Sequence, residues 1–223
     1  APDEAWHPAG RGGLTDLRSR CSAGRAARRR AGKGVYSEER LEQSDAVGEL
    51  IGGGVGMPPM IFIAESLRQS EKKPFVVLGS EVPFPFDPRP SQFVVPGVPE
   101  GVIASMPLLE DWGIPSRLAS LQGYPGCFEG YITALASHWL DALDVTQRRE
   151  VSVYACGPHP MLAAAAGLAA DYNLPCQVSL EEYMACAVGG CAGCAVRLET
   201  ADGPAMKRVC VDGPVFDAAE VVW

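Results

Sequence analysis

The chain has 223 residues, 47% of them hydrophobic, and a formal net charge of −8. That length and composition support one large or two small buried cores. No run approaches the roughly eighteen apolar residues of a spanning helix, and the opening APDEAWHPAG has neither the basic nor the hydrophobic region of a secretory signal, so a soluble, cytoplasmic, non-membrane protein is expected.

Eight cysteines would suggest disulfides in a small secreted domain. Here the chain is larger, unsignalled, and half of the cysteines fall at Cys186, Cys191, Cys194 and Cys210. A reducing compartment and metal ligation are the better reading. The charge is unevenly spread. Residues 1–45 hold nine Lys+Arg against seven Asp+Glu, leaving ten against twenty in the remainder.

Residues 1–45 stand apart. The stretch RGGLTDLRSRCSAGRAARRRAGKG has eight basic residues, the single acid Asp16 and several helix-interrupting glycines. It is expected to be a disordered or poorly folded basic segment. A nucleic-acid patch is disfavoured because the aromatic stacking residues of single-strand binders are missing.

From Ala46 strands and helices alternate. AVGELIGGG ends a short apolar strand at a glycine turn, and MPPMIFIAESLRQ continues as a helix whose prolines occupy the first turn, where missing N–H groups matter least. PFVVLGSE is a second buried strand. GVIASMPLLEDWG holds a third short strand before a loop rich in glycine and proline. YITALASHWLDAL is an amphipathic helix, EVSVYACG a strand with another glycine turn, HPMLAAAAGLAADYN a helix and CQVSL a last short strand. This alternation implies an α/β fold with a doubly wound, mostly parallel sheet.

Three motifs carry chemistry. Gly52, Gly53, Gly54 and Gly56, in GGGVG, lie between a strand and a helix, where glycine lets backbone approach a phosphate and the helix N-terminus offers N–H groups. The run departs from G-x-G-x-x-G, and a simple tight turn is an equally good reading. YACGPHPML places a second glycine turn at a strand end, so the two turns outline one crevice at the carboxyl edge of the sheet. There Cys156 is either a small buried residue or a neighbour of a nicotinamide or flavin ring.

The third motif is C-x4-C-x2-C at Cys186, Cys191 and Cys194 with Cys210 further on, the spacing of plant-type [2Fe–2S] sites. Gly189, Gly190 and Gly193 permit this loop to take positive φ angles and aim N–H groups at the sulfurs. Structural zinc competes, although its thiolates more often come as two C-x2-C pairs. His138 reads as a packed helix residue, His159 as a surface residue beside the second turn, and His7 belongs to the basic segment. No Ser/His/Asp triad or paired-carboxylate site is visible, so no catalytic side chain is assigned.

Taken together, GGGVGMPP, YACGPHPML, SLEEYMACAVGGCAGCAV and RVCVDGPVFDAAEVVW resemble the electron transfer subunit of dihydroorotate dehydrogenase B, within the ferredoxin reductase superfamily, over residues 46–223. The resemblance implies an NAD(H)-binding domain over 46–179 and a small [2Fe–2S] domain over 180–223. Cys186, Cys191, Cys194 and Cys210 would ligate the irons. Gly52, Gly53, Gly54, Gly56, Met57, Pro58, Cys156, Gly157 and Pro158 would line the dinucleotide crevice. It also implies FAD as a cofactor, NAD(H) as substrate, and a hetero-oligomer with a dihydroorotate dehydrogenase catalytic subunit or another flavoprotein, with no nucleic acid or membrane partner. Alternatives are a reductase for another acceptor, of oxygenase or hydrogenase type, and a zinc-stabilised binding module. Such subunits open with a β-barrel that grips FAD. Nothing in residues 1–45 resembles one, so the chain alone is expected to bind FAD poorly.

Overall fold

The computed structural model describes residues 47–68 and 74–223, all in one compact unit. The expectations for residues 1–45, a disordered basic segment without an FAD barrel, lie outside the described residues.

The central strand β1 (Val47–Gly53) is buried along nearly its whole length, as a strand covered on both faces must be. Parallel strands flank it on both sides. Toward one edge come β2 (Phe75–Gly79), β5 (Ser116–Ser120) and β6 (Phe128–Glu129); toward the other come β7 (Val151–Cys156) and β8 (Cys176–Ser179). A seventh strand, β11 (Val215–Asp217), pairs antiparallel with β8. From β1 the chain thus winds one way through β2, β5 and β6, then returns to the other side for β7 and β8. The neighbours β1 and β7 form the switch point at whose carboxyl ends open α/β sheets bind ligands.

Strand alternation separates two cores. Leu50, Val76, Leu78 and Leu118 face α1 (Met57–Ser66), which contributes Met57, Met60 and Ile63. Ile51, Phe75, Val77 and Val153 face α3 (Ile132–Ala142) and α5 (His159–Asp171), which contribute Leu135, Trp139, Leu162 and Ala165. Phe75 and Trp139 meet at 5.2 Å between ring centroids. Between α3 and β7 lies the short α4 (Val145–Arg149), closed by an Asp144 capping box. Polar side chains also lie within the sheet, among them Ser116 and Arg117 of β5 and Glu49 of β1. Glu49 is fully buried, neither carboxylate oxygen has a hydrogen-bond partner, and burial holds its carboxyl well above the usual carboxylate range.

The segment after β2 departs from the sequence reading. The expected third strand shrinks to β4 (Ala104–Ser105), which pairs with β3 (Arg89–Pro90) outside the main sheet. The next element is not the expected loop but α2 (Pro107–Asp111), with Pro107 in its first turn. The true sheet strand is β5, SRLAS, which has no β-branched residue yet is buried throughout. Its Arg117 explains this. The buried guanidinium donates to Phe93 O (2.6 Å) and Val102 O (3.0 Å), satisfying carbonyls of the excursion laid over the strand, and to Ser116 O (2.7 Å) of the strand itself. Glu110 of α2 holds the same excursion by accepting from Gln92 N–H and Ser91 Oγ.

CQVSL is not the last strand. Beyond it β9 (Ala195–Thr200) and β10 (Gly203–Arg208) form an antiparallel hairpin, succeeded by α6 (Val209–Asp212) and β11. Leu198, Val209 and Phe216 join the α3/α5 core, so this C-terminal part is packed onto the sheet and not only tethered to it. Among the described residues no helix is long and apolar enough to cross a membrane.

Candidate functional site

The hairpin brings the distant cysteine to the others. Arg208 pairs with Ala195 across β9 and β10, so Cys194, just before β9, meets the residues just after β10. Val209 N–H donates to Cys194 O at 3.0 Å. Cys194 and Cys210 therefore lie together across the hairpin, and Cys191 N–H on Cys186 Sγ draws those two together as a second pair. Cys194 is buried, Cys186 and Cys210 are half-buried and Cys191 is exposed.

Backbone N–H groups converge on the sulfurs. Those of Val188, Cys191 and Gly190 face Cys186, that of Cys191 at 3.4 Å from Sγ, and together with the Cys191 side chain they pull the Cys186 thiol down to about 6. Gly193 N–H lies 3.4 Å from Cys191 Sγ. Gly189 N–H faces Cys210, whose thiol is nevertheless held above its ordinary value, chiefly by its hydrogen bond with Cys194. Such donors stabilise thiolates and suit an anionic metal group. Among the described residues no three His, Cys, Asp or Glu side chains gather as the ligands of a single metal ion would. Two thiol pairs match a group with two metal atoms, each taking two thiolates.

The loop achieves this differently from expectation. Gly189 does take positive φ (80°), but Gly190 and Gly193 do not. The other left-handed residues are Ala187 (54°) and Ala192 (53°). Alanine there costs about 1–2 kcal/mol per residue, a strain held in place by the N–H···S contacts on either side.

At the carboxyl edge of the sheet the two glycine turns touch. A Cβ on Gly56 would lie 1.9 Å from Cys156 O and 2.6 Å from Gly157 N, so the turns pack backbone to backbone. Cys156 is buried beneath them, its thiol raised by burial and hydrogen-bonded to Ser179. Beside them opens a cleft of about 550 Å³ lined by Gly54, Met57, Pro58, Ile61, Pro83 and Phe86 among others. Three of the nine expected crevice residues, Gly54, Met57 and Pro58, line it. Gly52, Gly53, Gly56, Cys156, Gly157 and Pro158 lie in the two strand ends and turns and do not line it. Of these nine residues, Gly54 alone combines positive φ (54°) with open space around its Cβ position.

This cleft has few free donors. Met57 N–H is used by Gly54 O, and Pro58 and Pro59 have no N–H to offer. With Val55, Met57, Pro58, Ile61 and Phe86 around it, it suits a flat ring better than a phosphate. Sequence reasoning missed its outer wall of Val82, Pro83, Pro85 and Phe86; the run VPFPFDP, proline alternating with aromatics, was the available signal. It also missed Arg208 and Asp212, which flank Cys210. His138 packs edge-on against Phe128, and His159 against Trp223, as expected of packed and peripheral residues.

An open, mostly parallel sheet with a cleft beside the β1 glycine turn, and a four-cysteine loop and hairpin packed onto it, defines a doubly wound α/β protein with a candidate metal-binding C-terminal part. The structure of an NADH-dependent reduced ferredoxin-NADP oxidoreductase shares this fold with a TM-score of 0.54 and 21% identity, over 81% of this chain and 55% of that one. Residues 181–222 match the iron–sulfur cluster binding domain of dihydroorotate dehydrogenase B. The dihydroorotate dehydrogenase B (NAD(+)) electron transfer subunit of Caldanaerobacter subterraneus subsp. tengcongensis is 32% identical over 78% of this chain and 58% of its own length. Those of Geobacillus kaustophilus and Shouchella clausii are 34% and 30% identical, over 58% and 62% of their lengths. The chain is thus a relative of the dihydroorotate dehydrogenase B electron transfer subunits, and it spans somewhat over half the length of those it matches.

Proposed function

We propose that this chain is an electron-transfer polypeptide that passes electrons between NAD(H) and the flavin of a partner dehydrogenase, with FAD and a [2Fe–2S] cluster as carriers. In this reading residues 46–179 receive NAD(H) at the carboxyl ends of β1, β2 and β7, and residues 180–223 hold the cluster on Cys186, Cys191, Cys194 and Cys210. The partner is a dihydroorotate-oxidising subunit, as the names of the relatives suggest. The observation that carries the reading is the β9–β10 hairpin bringing Cys210 to Cys194, with the N–H groups of Cys191 and Gly193 on the sulfurs of Cys186 and Cys191. Bound there, a [2Fe–2S] group would supply one-electron storage between a two-electron nucleotide and a flavin.

The chain's own contribution is positional. The β9–β10 hairpin sets the distance between Cys194 and Cys210, and the loop amides stabilise the thiolates. The apolar cleft seats a ring and excludes water, while Gly54 lets a ligand backbone lie against the turn. Anaerobic purification with iron, sulfide and zinc determination tests the cluster. Two irons and two labile sulfides per chain, with visible absorption bleached on reduction, are expected. One zinc and no sulfide would replace the reading with a structural metal module. Co-purification from the native cell then asks whether a dihydroorotate-oxidising flavoprotein accompanies the chain.

A further inference from the structure

Arg208 touches no cysteine, yet its contacts converge on the thiol loop from the side. Its Nη1 donates to Gly189 O at 3.0 Å. Its backbone N–H and its Nε donate to Asp212 Oδ2 at 2.8 and 3.3 Å, which fixes the guanidinium. The Gly189 carbonyl belongs to the same planar peptide as Gly190 N–H, and in a trans peptide the two point in opposite directions. One residue further on, Cys191 N–H lies 3.4 Å from Cys186 Sγ. The chain of contacts therefore runs from the guanidinium to the Gly189 carbonyl and along the Gly189–Cys191 backbone to a donor on sulfur. Glycine suits position 189 on this path, because its φ is positive and a Cβ would crowd Arg208 Nη1 at 3.2 Å and Val211 Cγ2 at 3.1 Å.

We propose that Arg208 is a positioning residue for the iron–sulfur cluster: it pins the Gly189 carbonyl and so holds the loop in which Cys191 N–H faces Cys186 Sγ, and its charge, partly balanced by Asp212, sets the reduction potential. The inference rests on the cluster assignment above. By fixing the loop, the guanidinium keeps the Cys191 donor ordered on a ligand sulfur. Reduction adds one negative charge to the cluster, and both an ordered donor to a ligand sulfur and a nearby cation favour that more negative state. Asp212 opposes the second effect. Removing the cation and removing its counter-ion should therefore move the potential in opposite directions, which a merely structural contact would not do.

The test uses the full chain as wild type, Arg208→Gln, Arg208→Lys and Asp212→Asn. Iron and sulfide are quantified first, and each protein is then titrated electrochemically with electron paramagnetic resonance as readout. Arg208→Gln should lower the midpoint by the equivalent of about a tenfold weaker one-electron reduction, ~59 mV, with altered g values because Cys186 loses an ordered donor. Arg208→Lys, which keeps the charge but not the fork, should shift less. Asp212→Asn should shift upward. A wild-type midpoint and spectrum in Arg208→Gln would overturn the proposal, as would shifts of the same sign in Arg208→Gln and Asp212→Asn. If Arg208→Gln takes up no cluster, opposite shifts in Arg208→Lys and Asp212→Asn support the role, and two unmoved midpoints overturn it. Wild type lacking iron and sulfide would sink the cluster assignment itself and this role with it, a failure visible before any variant is compared.

Discussion

At the carboxyl edge of the sheet glycine is needed for space. Gly56 lies against the Cys156–Gly157 backbone with no room for a methyl group. In the cysteine loop the need is for direction, since N–H groups must turn toward sulfur, and that requires left-handed residues. Only Gly189 among the loop glycines is left-handed; Ala187 and Ala192 supply the rest. A contact between two backbones has no substitute for glycine, whereas a left-handed φ is available to alanine wherever hydrogen bonds outweigh about 1–2 kcal/mol of strain. The two regions should therefore answer substitution differently, the edge through folding and the loop through the group it holds.

The largest separation should come from Cys191→Ser. Cys191 is exposed, so the core that Cys194, Leu198 and Val209 share with the sheet stays packed. Most bound iron and visible colour should be lost, with the far-ultraviolet circular dichroism unchanged. Collapse of the secondary structure would mean that the sheet depends on the cysteine group and that the two regions are not separable. The converse is Gly56→Val. Its Cβ would meet backbone atoms that cannot swing aside, so the β1 and β7 turns must part, at a cost of about 3 kcal/mol or more. Urea denaturation should show a much lower midpoint; wild-type stability would show that the turns are not in contact.

Legibility in the sequence divided along the same line. β1, β2 and β7 could be read because each is a short, largely apolar run that ends at or next to a glycine, and the cysteine spacing survives in the chain order. β5 could not, because SRLAS is buried by an excursion that Arg117 pins from a distance of 15 to 24 residues along the chain. The thiol pairing depends on hairpin register, which spacing does not encode. The cleft was half legible. Gly54, Met57 and Pro58 stood in the motif, but the wall opposite comes from a proline-rich segment that has no periodicity of its own.

Glu49 offers a smaller effect and sharpens the comparison from inside the sheet. Burial raises its carboxyl well above the usual range, so the folded chain holds this proton where the unfolded chain, near the ordinary 4.5, has released it. The contribution to stability is fully present below about pH 4.5. It then falls by about 1.4 kcal/mol per pH unit until the folded value is reached. Glu49→Leu removes both the unpartnered oxygens and the pH dependence. It should stabilise the chain by about 1–3 kcal/mol at neutral pH, with a larger gain in urea midpoint at pH 7.5 than at pH 5.5. An equal gain at both values would mean that Glu49 finds a partner or solvent.

The smallest effect, and the sharpest test of the edge, is Gly54→Ala. Gly54 has the φ of +54° that a side chain resists, but nothing lies within 4 Å of the position its Cβ would take. The folding cost is then only the left-handed strain, about 1 kcal/mol. The methyl group would project into the cleft that Gly54 lines with Met57 and Pro58. If NAD(H) lies against this turn, losing that approach should weaken binding about tenfold, equivalent to about 1.4 kcal/mol. Gly101 is the control, since it has φ +85° and equally open surroundings but does not line the cleft. Gly101→Ala should show the same small loss of stability and wild-type titration by NADH. Equal titration curves for both variants would make the Gly54 turn a purely structural corner and move the nucleotide elsewhere along the edge. Weakened binding in Gly54→Ala alone would place the dinucleotide in the apolar cleft, with the VPFPFDP segment as its outer wall.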